Sequence, residues 1–479
     1  MTPCNQDSLL FQGLASGNSR KVAVDFGGGH LSSEGGLSLI AELDRGLGLT
    51  ERFAACFRDE RDPLFVEHSL TDLLRQRVFG LCQGYEDLND HDRLRCDPLL
   101  AACVGKDDVL GRERSGKGRE GFPLAGKSTL NRLETGTGRS DPYHKILPDP
   151  VAIEDFFIEA GLRCLPESTR EIVIDFDTTD DLVHGEQQER FYHGFYGNWC
   201  YLPLYAFCGD IPLVAKLRPA NIDGCAGTVD CLAKIVLAAR ARFGADVRII
   251  MRADSGFCRD SIMTWCEDNG VFYCLGLARN KRLEQLLDPT MDNAKAMACL
   301  GGGYATFFTE FQYRTLDSWA RERRVIGKAQ VMPKGINPRF IVTNLPPGGF
   351  PGEDRFRFEP EALYCNFYCG RGDMENRIKE QQLDLFADRT STHWMASNQL
   401  RLWFSTLAYL LIAQLRALAL HGTELARATA GTIRQRLLKI ATAVKVSVRR
   451  VLFSMASAFP LQELFATAHS RIAGQERLF

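Results

Sequence analysis

Glu171-Ile172-Val173-Ile174-Asp175-Phe176-Asp177 is a run of β-branched and aromatic residues that ends in acid, and it reads as a buried strand. Strand side chains alternate, so Asp175 and Asp177 lie on the same face. Thr178 and Thr179 follow, polar residues suited to a strand end. Outward from this strand, apolar runs at 202–208 and 211–217 predict two more strands. A helix fits 228–243, a strand 247–252, a helix 258–269 and a strand 271–277. The first three strands are joined without helices, which predicts antiparallel neighbours. The last two return through helices, which predicts parallel ones.

Three strands, helix, strand, helix, strand is the order of a ribonuclease-H-like core, an α/β fold built on a mixed five-stranded sheet with helices. Catalytic carboxylates of that fold sit on the first strand and just after the fourth, where Asp177 and Asp254 fall. A third acid stands in Tyr368-Cys369-Gly370-Arg371-Gly372-Asp373-Met374-Glu375, a Tyr-x-x-Arg-x-x-x-Glu pattern that runs into a helix. Three carboxylates from separate elements suit two divalent ions about 3.5–4 Å apart, which activate an attacking oxygen and hold a leaving one on a phosphodiester. Magnesium takes such carboxylates together with water and phosphate oxygens. Asp177 is the expected first ligand and Asp175 its alternative. Read alone, Asp254-Ser255-Gly256 is equally a turn or a helix cap. Glu375 alone is equally a first-turn glutamate facing the helix dipole.

Arg371 lies one helical turn before Glu375, and Arg377 and Lys379 follow it. They suit flanking phosphates or a salt-bridged helix face. Phe191, Tyr192, Phe195, Tyr196, Trp199 and Tyr201 form an aromatic run between the first two strands. It suits stacking on unpaired bases or packing in a hairpin.

At 479 residues the chain exceeds one ordinary core, so two or three domains are expected. Residues 1–150 read as mainly helical, with helices over 37–49, 70–81 and 128–133, an exposed loop at 105–122, and a Gly- and Pro-marked hinge at 136–150. Residues 151–285 hold the first part of the core. Residues 286–355 read as a β-rich insertion, with strands at 304–311, 323–331 and 339–343. Residues 356–420 hold the last core helices, over 373–388 and 397–420. Residues 421–479 form a basic, helical C-terminal region, in which 443–455 alternates like a late strand.

No apolar run reaches the roughly 18 uncharged residues of a membrane span. The nearest, 400–420, contains Arg401 and Arg416, and residues 1–18 lack the pattern of a signal peptide. A cytoplasmic protein with no membrane partner is expected. The 16 cysteines are scattered through apolar runs, as at Cys208, Cys231 and Cys274, and read as reduced, buried thiols. Cys365 and Cys369 have no second pair at zinc spacing. The net charge of −2 argues against uniform affinity for nucleic acid. Yet from Arg401 onward eleven Lys and Arg stand against three Glu, which suggests a phosphate-contacting surface or a solvated helical face.

Gly121-Phe122-Pro123-Leu124-Ala125-Gly126-Lys127-Ser128 matches a phosphate-loop pattern. That motif works only after a buried strand, which aims backbone amides at phosphates. Here a charged, glycine-rich run precedes it and Pro123 removes an amide. Ser128 reads instead as a helix N-cap, and no nucleotide is expected.

Longer strings carry a family resemblance. They are His68-Ser69-Leu70-Thr71-Asp72-Leu73-Leu74-Arg75-Gln76-Arg77-Val78, Gly84-Tyr85-Glu86-Asp87-Leu88-Asn89-Asp90, Lys127-Ser128-Thr129-Leu130-Asn131-Arg132-Leu133-Glu134, Asp175-Phe176-Asp177-Thr178-Thr179-Asp180-Asp181, Leu217-Arg218-Pro219, Arg252-Ala253-Asp254-Ser255-Gly256-Phe257 and Glu375-Asn376-Arg377-Ile378-Lys379-Glu380. Together they resemble the DDE transposases of bacterial insertion sequences, specifically the insertion sequence 1380 family, a relative of the insertion sequence 4 group. The resemblance implies that Asp177, Asp254 and Glu375 bind two Mg2+ ions, with Mn2+ as a substitute, and that Tyr368 and Arg371 are DNA-contacting motif residues around the third acid. It implies an enzyme that binds the terminal inverted repeats through its helical N-terminal part, cleaves double-stranded DNA, and joins the 3′ ends to target DNA as a homodimer or larger assembly at the bacterial nucleoid. Related transposases often carry Lys seven positions after the Glu, where this chain has Gln382; Lys379 is a nearby substitute. The alternatives are a domesticated DNA-binding regulator and a ribonuclease-H-like nuclease without strand transfer.

Overall fold

In the computed structural model the described residues are 9–11, 22–114, 120–136 and 138–474. They divide between two compact units, one of residues 1–54, 61–133 and 414–479, the other of residues 55–60 and 134–413.

The second unit is built on a sheet of nine strands among the described residues. Its centre is β1 (Glu171–Thr178), which pairs antiparallel with β2 (Leu204–Cys208), and β2 pairs antiparallel with β3 (Ile211–Lys216). On its other side β1 pairs parallel with β4 (Arg248–Ala253), and β4 pairs parallel with β5 (Phe272–Leu277). Helices α1 (Thr228–Phe243) and α2 (Asp260–Asp268) supply the crossovers before β4 and β5. These five strands have the order and directions expected from the sequence.

The sheet does not stop at five. After α3 (Lys281–Leu300) come β6 (Ala305–Tyr313), β7 (Arg323–Met332) and β8 (Arg339–Thr343). β8 pairs antiparallel with β5, β7 with β8, and β6 with β7. The strands read as an insertion therefore continue the same sheet. The outer edge of β5 offers unpaired amides and carbonyls, and β8 satisfies them. A local apolar run predicts a strand but carries no information about its partner.

Alternation sorts the side chains of the central strands between two faces. Ile172, Ile174, Phe176, Ile249, Met251, Tyr273 and Leu275 pack in one cluster with Leu232, Ile235 and Ala239 of α1 and Met263 and Cys266 of α2. Burial of each large apolar side chain contributes about 1.5–3 kcal/mol. Ile250, Cys274, Ile326 and Ile341 point the other way, against Phe358, Leu363, Tyr364 and Phe367. Asp175, Asp177 and Arg252 share this second face, and so lie under the segment that leads into α4 (Gly372–Leu385). The apolar helix α5 (Met395–Gln414) follows. By length and composition the stretch Met395–Ala419 could cross a membrane, but Leu402, Phe404, Leu407, Leu410 and Leu411 are buried, as in a core helix.

The first unit is mainly helical in its N-terminal part. The helix expected over 37–49 ends at Leu47, because Gly48 adopts φ 60° and closes it with a left-handed residue; Leu49–Ala54 is a separate helix. Leu70–Cys82 is capped reciprocally. Ser69 Oγ accepts from the Asp72 amide at 3.1 Å, and Asp72 Oδ2 accepts from the Ser69 amide at 3.0 Å. Ser69→Ala should lower the stability of this unit by about 1 kcal/mol, seen as an earlier urea midpoint with an unchanged slope. Ser128 is not a cap: the helix is Lys127–Glu134, and the Gly126 carbonyl accepts from Leu130. Glycine supplies the cap backbone here with no side chain to advertise it. Among the described residues no strand leads into Gly121–Ser128.

The C-terminal region is not wholly helical. Residues 443–455, read as one late strand, form a hairpin of β9 (Thr442–Ser447) and β10 (Arg450–Met455). β9 also pairs with Leu31–Ser32, and the helix Gln462–Ala473 follows. The turn residues Val448 and Arg449 belong to no turn-forming class, so no local signal marks the reversal there. The fifteen described cysteines are all free.

Candidate active site

Asp177 stands at the end of β1, Asp254 just beyond β4, and Arg371 and Glu375 at the start of α4, one turn apart. Arg371 connects Asp177 with Glu375. Its Nη2 donates to Glu375 Oε1 at 2.9 Å, and its Nη1 donates to Asp177 Oδ2 at 3.4 Å. Burial pushes the Asp177 carboxyl up to about 6. Arg371 and the Thr178 amide pull it down, and the charges of Asp254 and Glu375 raise it further. Burial works against the Arg371 charge, but Asp177, Tyr368, Glu375 and Asp254 outweigh it and hold the guanidinium protonated. The three predicted acids thus share one electrostatic environment.

Asp254 has a structural duty as well. Its Oδ1 accepts from the Gly256 amide at 2.8 Å and caps the short helical turn Ser255–Phe257. Tyr368 packs against Tyr364 with ring centroids 5.7 Å apart, and burial pushes its hydroxyl up to about 12. Tyr368 and the Asp254–Ser255 backbone both lie close to Gly276 of β5. A Cβ there would stand 2.5 Å from Tyr368 Oη and 2.8 Å from the Ser255 amide nitrogen. Gly276→Ala should therefore cost about 1–3 kcal/mol of stability by overpacking. The same change in a Tyr368→Phe background should cost less, since the colliding hydroxyl is gone. Equal urea midpoints for Gly276→Ala and its parent would refute the close approach.

Asp175 is engaged differently. Arg252 on the neighbouring strand grips it with two nitrogens, Nε to Oδ1 at 2.5 Å and Nη2 to Oδ2 at 2.8 Å. The remaining Arg252 nitrogen donates to the Phe367 carbonyl, at the entry to the Tyr-x-x-Arg motif. No role for Arg252 is legible in the sequence. Its partners are remote in sequence, so no local pattern reveals them.

Arg218 is a second positioning residue that the sequence left without a task. It is buried, and donates to the carbonyls of Leu202 at 2.9 Å, Ala226 at 2.6 Å and Gly224 at 3.0 Å, and to Thr178 Oγ1 at 3.2 Å. It fixes the chain immediately after Asp177. Burial depresses it to about 10.

Arg377 is turned to Asp210 at 2.6 Å and to Glu380 at 3.6 Å. Lys379 is exposed and makes no ion pair among the described residues. Gln382 donates to Asp181 Oδ1 at 3.0 Å. Asp181 is fully buried, and burial pushes its carboxyl up to about 8.

The aromatic run occupies a small hairpin, Phe191–His193 with Asn198–Tyr201. Tyr201 is buried, whereas Tyr192, Phe195 and Trp199 are exposed. The Tyr196 hydroxyl donates to the Thr178 carbonyl at 3.3 Å, which brings the hairpin beside the end of β1.

Among the described residues no three His, Cys, Asp or Glu side chains are grouped closely enough to hold a metal as they stand. The Arg371 guanidinium lies between Asp177 and Glu375 instead. The donor chemistry nevertheless fits a hard divalent cation: all three acids offer oxygen ligands, and burial, together with the charges of Asp254 and Glu375, disfavours the Asp177 charge that a cation would stabilise.

A family model described as Transposase DDE domain group 1 matches residues 14–477. No curated protein sequence matches the chain. Among solved structures that it matches is the piggyBac transposase synaptic complex with hairpin DNA, at 11% identity and a TM-score of 0.39, covering 85% of this chain and 80% of that one.

Proposed function

The chain belongs to the DDE transposase family, and from that premise we propose that it binds the terminal inverted repeats of a bacterial insertion sequence of the 1380 family, cleaves the DNA there and transfers the 3′ ends to target DNA. On this reading the first five strands are a ribonuclease-H-like core, and residues 1–150 and the basic residues 421–479 contact DNA. The assembly on DNA is a homodimer or larger, because two ends must be joined. It works in the cytoplasm at the nucleoid.

The observation that carries the proposal is that Arg371 joins Asp177 and Glu375, with Asp254 near enough for its charge to act on both Arg371 and Asp177. Asp177, Asp254 and Glu375 would hold two Mg2+ or Mn2+ ions. When bound, such ions activate the attacking oxygen and stabilise the leaving one. Arg371 is the cation within reach of a phosphate placed among those acids, and Tyr368 braces the turn that presents it. Arg252 and Arg218 keep β1 and the segments beside it in register. Lys379 is free to meet a flanking phosphate, and Arg377 would do so by exchanging Asp210 for it.

The test is a labelled linear duplex bearing the element's own terminal repeats, incubated with Mg2+ or Mn2+ and either wild type or Glu375→Ala. Metal-dependent nicking at the repeat boundary, lost in the variant, supports the proposal, and a strand-transfer product separates it from a simple nuclease. End binding without cleavage in either ion points to a regulator. The bridging of Asp177 and Glu375 by Arg371, which leaves these acids already paired, favours that second reading.

A further inference from the structure

We propose that the β9–β10 hairpin is a DNA-binding ribbon that enters the major groove of duplex DNA. The inference rests on the transposase reading and names a contact surface within it.

The hairpin is anchored at its base and free at its tip. Thr442 and Ala443 pair with Ser32 and Leu31, and Val444 is buried. Just before β9, Lys439 Nζ holds both oxygens of the buried Glu34 at 2.8 and 2.9 Å. From Lys445 to Leu452, by contrast, every residue is exposed. Ser447 Oγ donates to the Arg450 carbonyl at 3.0 Å and helps close the turn.

Charge selects the occupant. No Asp or Glu occurs between Glu424 and Glu463. Nearer the base, Arg434 donates to the Cys82 carbonyl and Arg436 pairs with Glu424, so these cations are committed within the unit. Lys445, Arg449 and Arg450 on the tip make no ion pair among the described residues. Three unpaired cations on an exposed ribbon with no carboxylate near in sequence complement a polyanion.

Shape selects the groove. Cross-strand pairs share a face, so Lys445 with Leu452 and Ser447 with Arg450 line one side, and Val446 with Val451 the other. The three tip pairs extend roughly 10 Å at about 3.3 Å per residue. The major groove is about 8.5 Å deep and about 12 Å wide, and admits a two-stranded ribbon. In that position Lys445, Arg449 and Arg450 reach phosphates on the groove walls, and the valine methyls meet the apolar thymine methyls on the floor.

The experiment compares full-length wild type with Lys445→Gln/Arg449→Gln/Arg450→Gln, titrated into a random-sequence duplex and a terminal-repeat duplex at several salt concentrations without divalent metal. Loss of three phosphate contacts should flatten the log–log salt dependence by about 2.7 and weaken binding on the order of 10²-fold at ~0.1 M salt. Circular dichroism and the thermal midpoint should not change, since the three cations are exposed. Equal affinity and equal salt slope for the two proteins, with wild type binding DNA, overturns the ribbon but leaves the transposase reading standing. Wild type that binds no duplex at all overturns both. Unchanged DNA binding together with a loss of oligomeric mass in Val446→Ser/Val451→Ser also overturns the ribbon, and assigns its apolar face to a second copy of this chain.

Discussion

Asp254→Ala should bind terminal-repeat DNA as wild type does and fail to cut it. A carboxylate that holds a catalytic ion cannot be replaced by a methyl group without losing the charge that retains the ion. The cleavage rate should fall at least about 10³-fold, beyond the roughly 10–100-fold typical of a residue that only orients a metal ligand. Asp254 also caps the turn at Ser255–Phe257, so alanine carries a second cost of about 1 kcal/mol in local stability. Asp254→Asn separates the two roles. Asparagine keeps the cap, since its side-chain oxygen can accept from the Gly256 amide, and removes the charge. If charge is what matters, both variants are inactive and only alanine is less stable. Gel resolution of nicked product in Mg2+ and Mn2+, beside a mobility-shift titration in chelator, gives both readings. Undiminished cleavage by either variant removes Asp254 from the site.

Asp254 also shows how much of the site was legible in the sequence. Its position after a strand of the core order was readable, and so was the shared face of Asp175 and Asp177, because a period of two is a local property. The Tyr-x-x-Arg-x-x-x-Glu spacing placed Arg371 and Glu375 one turn apart, and they are. Contacts between remote segments were not readable. The Arg371 nitrogen that meets Asp177, the Arg252 fork on Asp175 and the Gly276 gap under Tyr368 each join residues far apart in the chain. The pairing of β8 with β5 is of the same kind. The hairpin turn at Val448 and Arg449 failed for a different reason: the antiparallel pairing of β9 with β10 closes a reversal that the turn residues do not themselves encode.

The two acids of β1 should respond to substitution in opposite ways, although they are two residues apart on one face. Asp175→Ala leaves the Arg252 guanidinium part-buried and without its carboxylate, a loss that costs about 3–5 kcal/mol in such pairs. It also frees the arginine from the geometry that carries its third nitrogen to Phe367, so the motif leading to Arg371 loosens. Arg252→Met alone should cost a similar amount, because it strands the buried Asp175. The double variant Asp175→Leu/Arg252→Met should recover most of the loss, since neither charge is then left unpaired. Asp177 differs in its partner: burial raises both carboxyls, but the two-nitrogen Arg252 fork holds Asp175, whereas a single Arg371 nitrogen at 3.4 Å reaches Asp177. Its folded-state pKa lies above the unfolded value, so the ionised carboxylate present at neutral pH opposes folding. Asp177→Asn should leave stability unchanged or raise it, measured without divalent metal, and abolish cleavage. Urea denaturation of the four variants at pH 7 decides the matter. A destabilised Asp177→Asn, or an Asp175→Ala as stable as wild type, would reverse the assignment of the structural and the metal-holding acid.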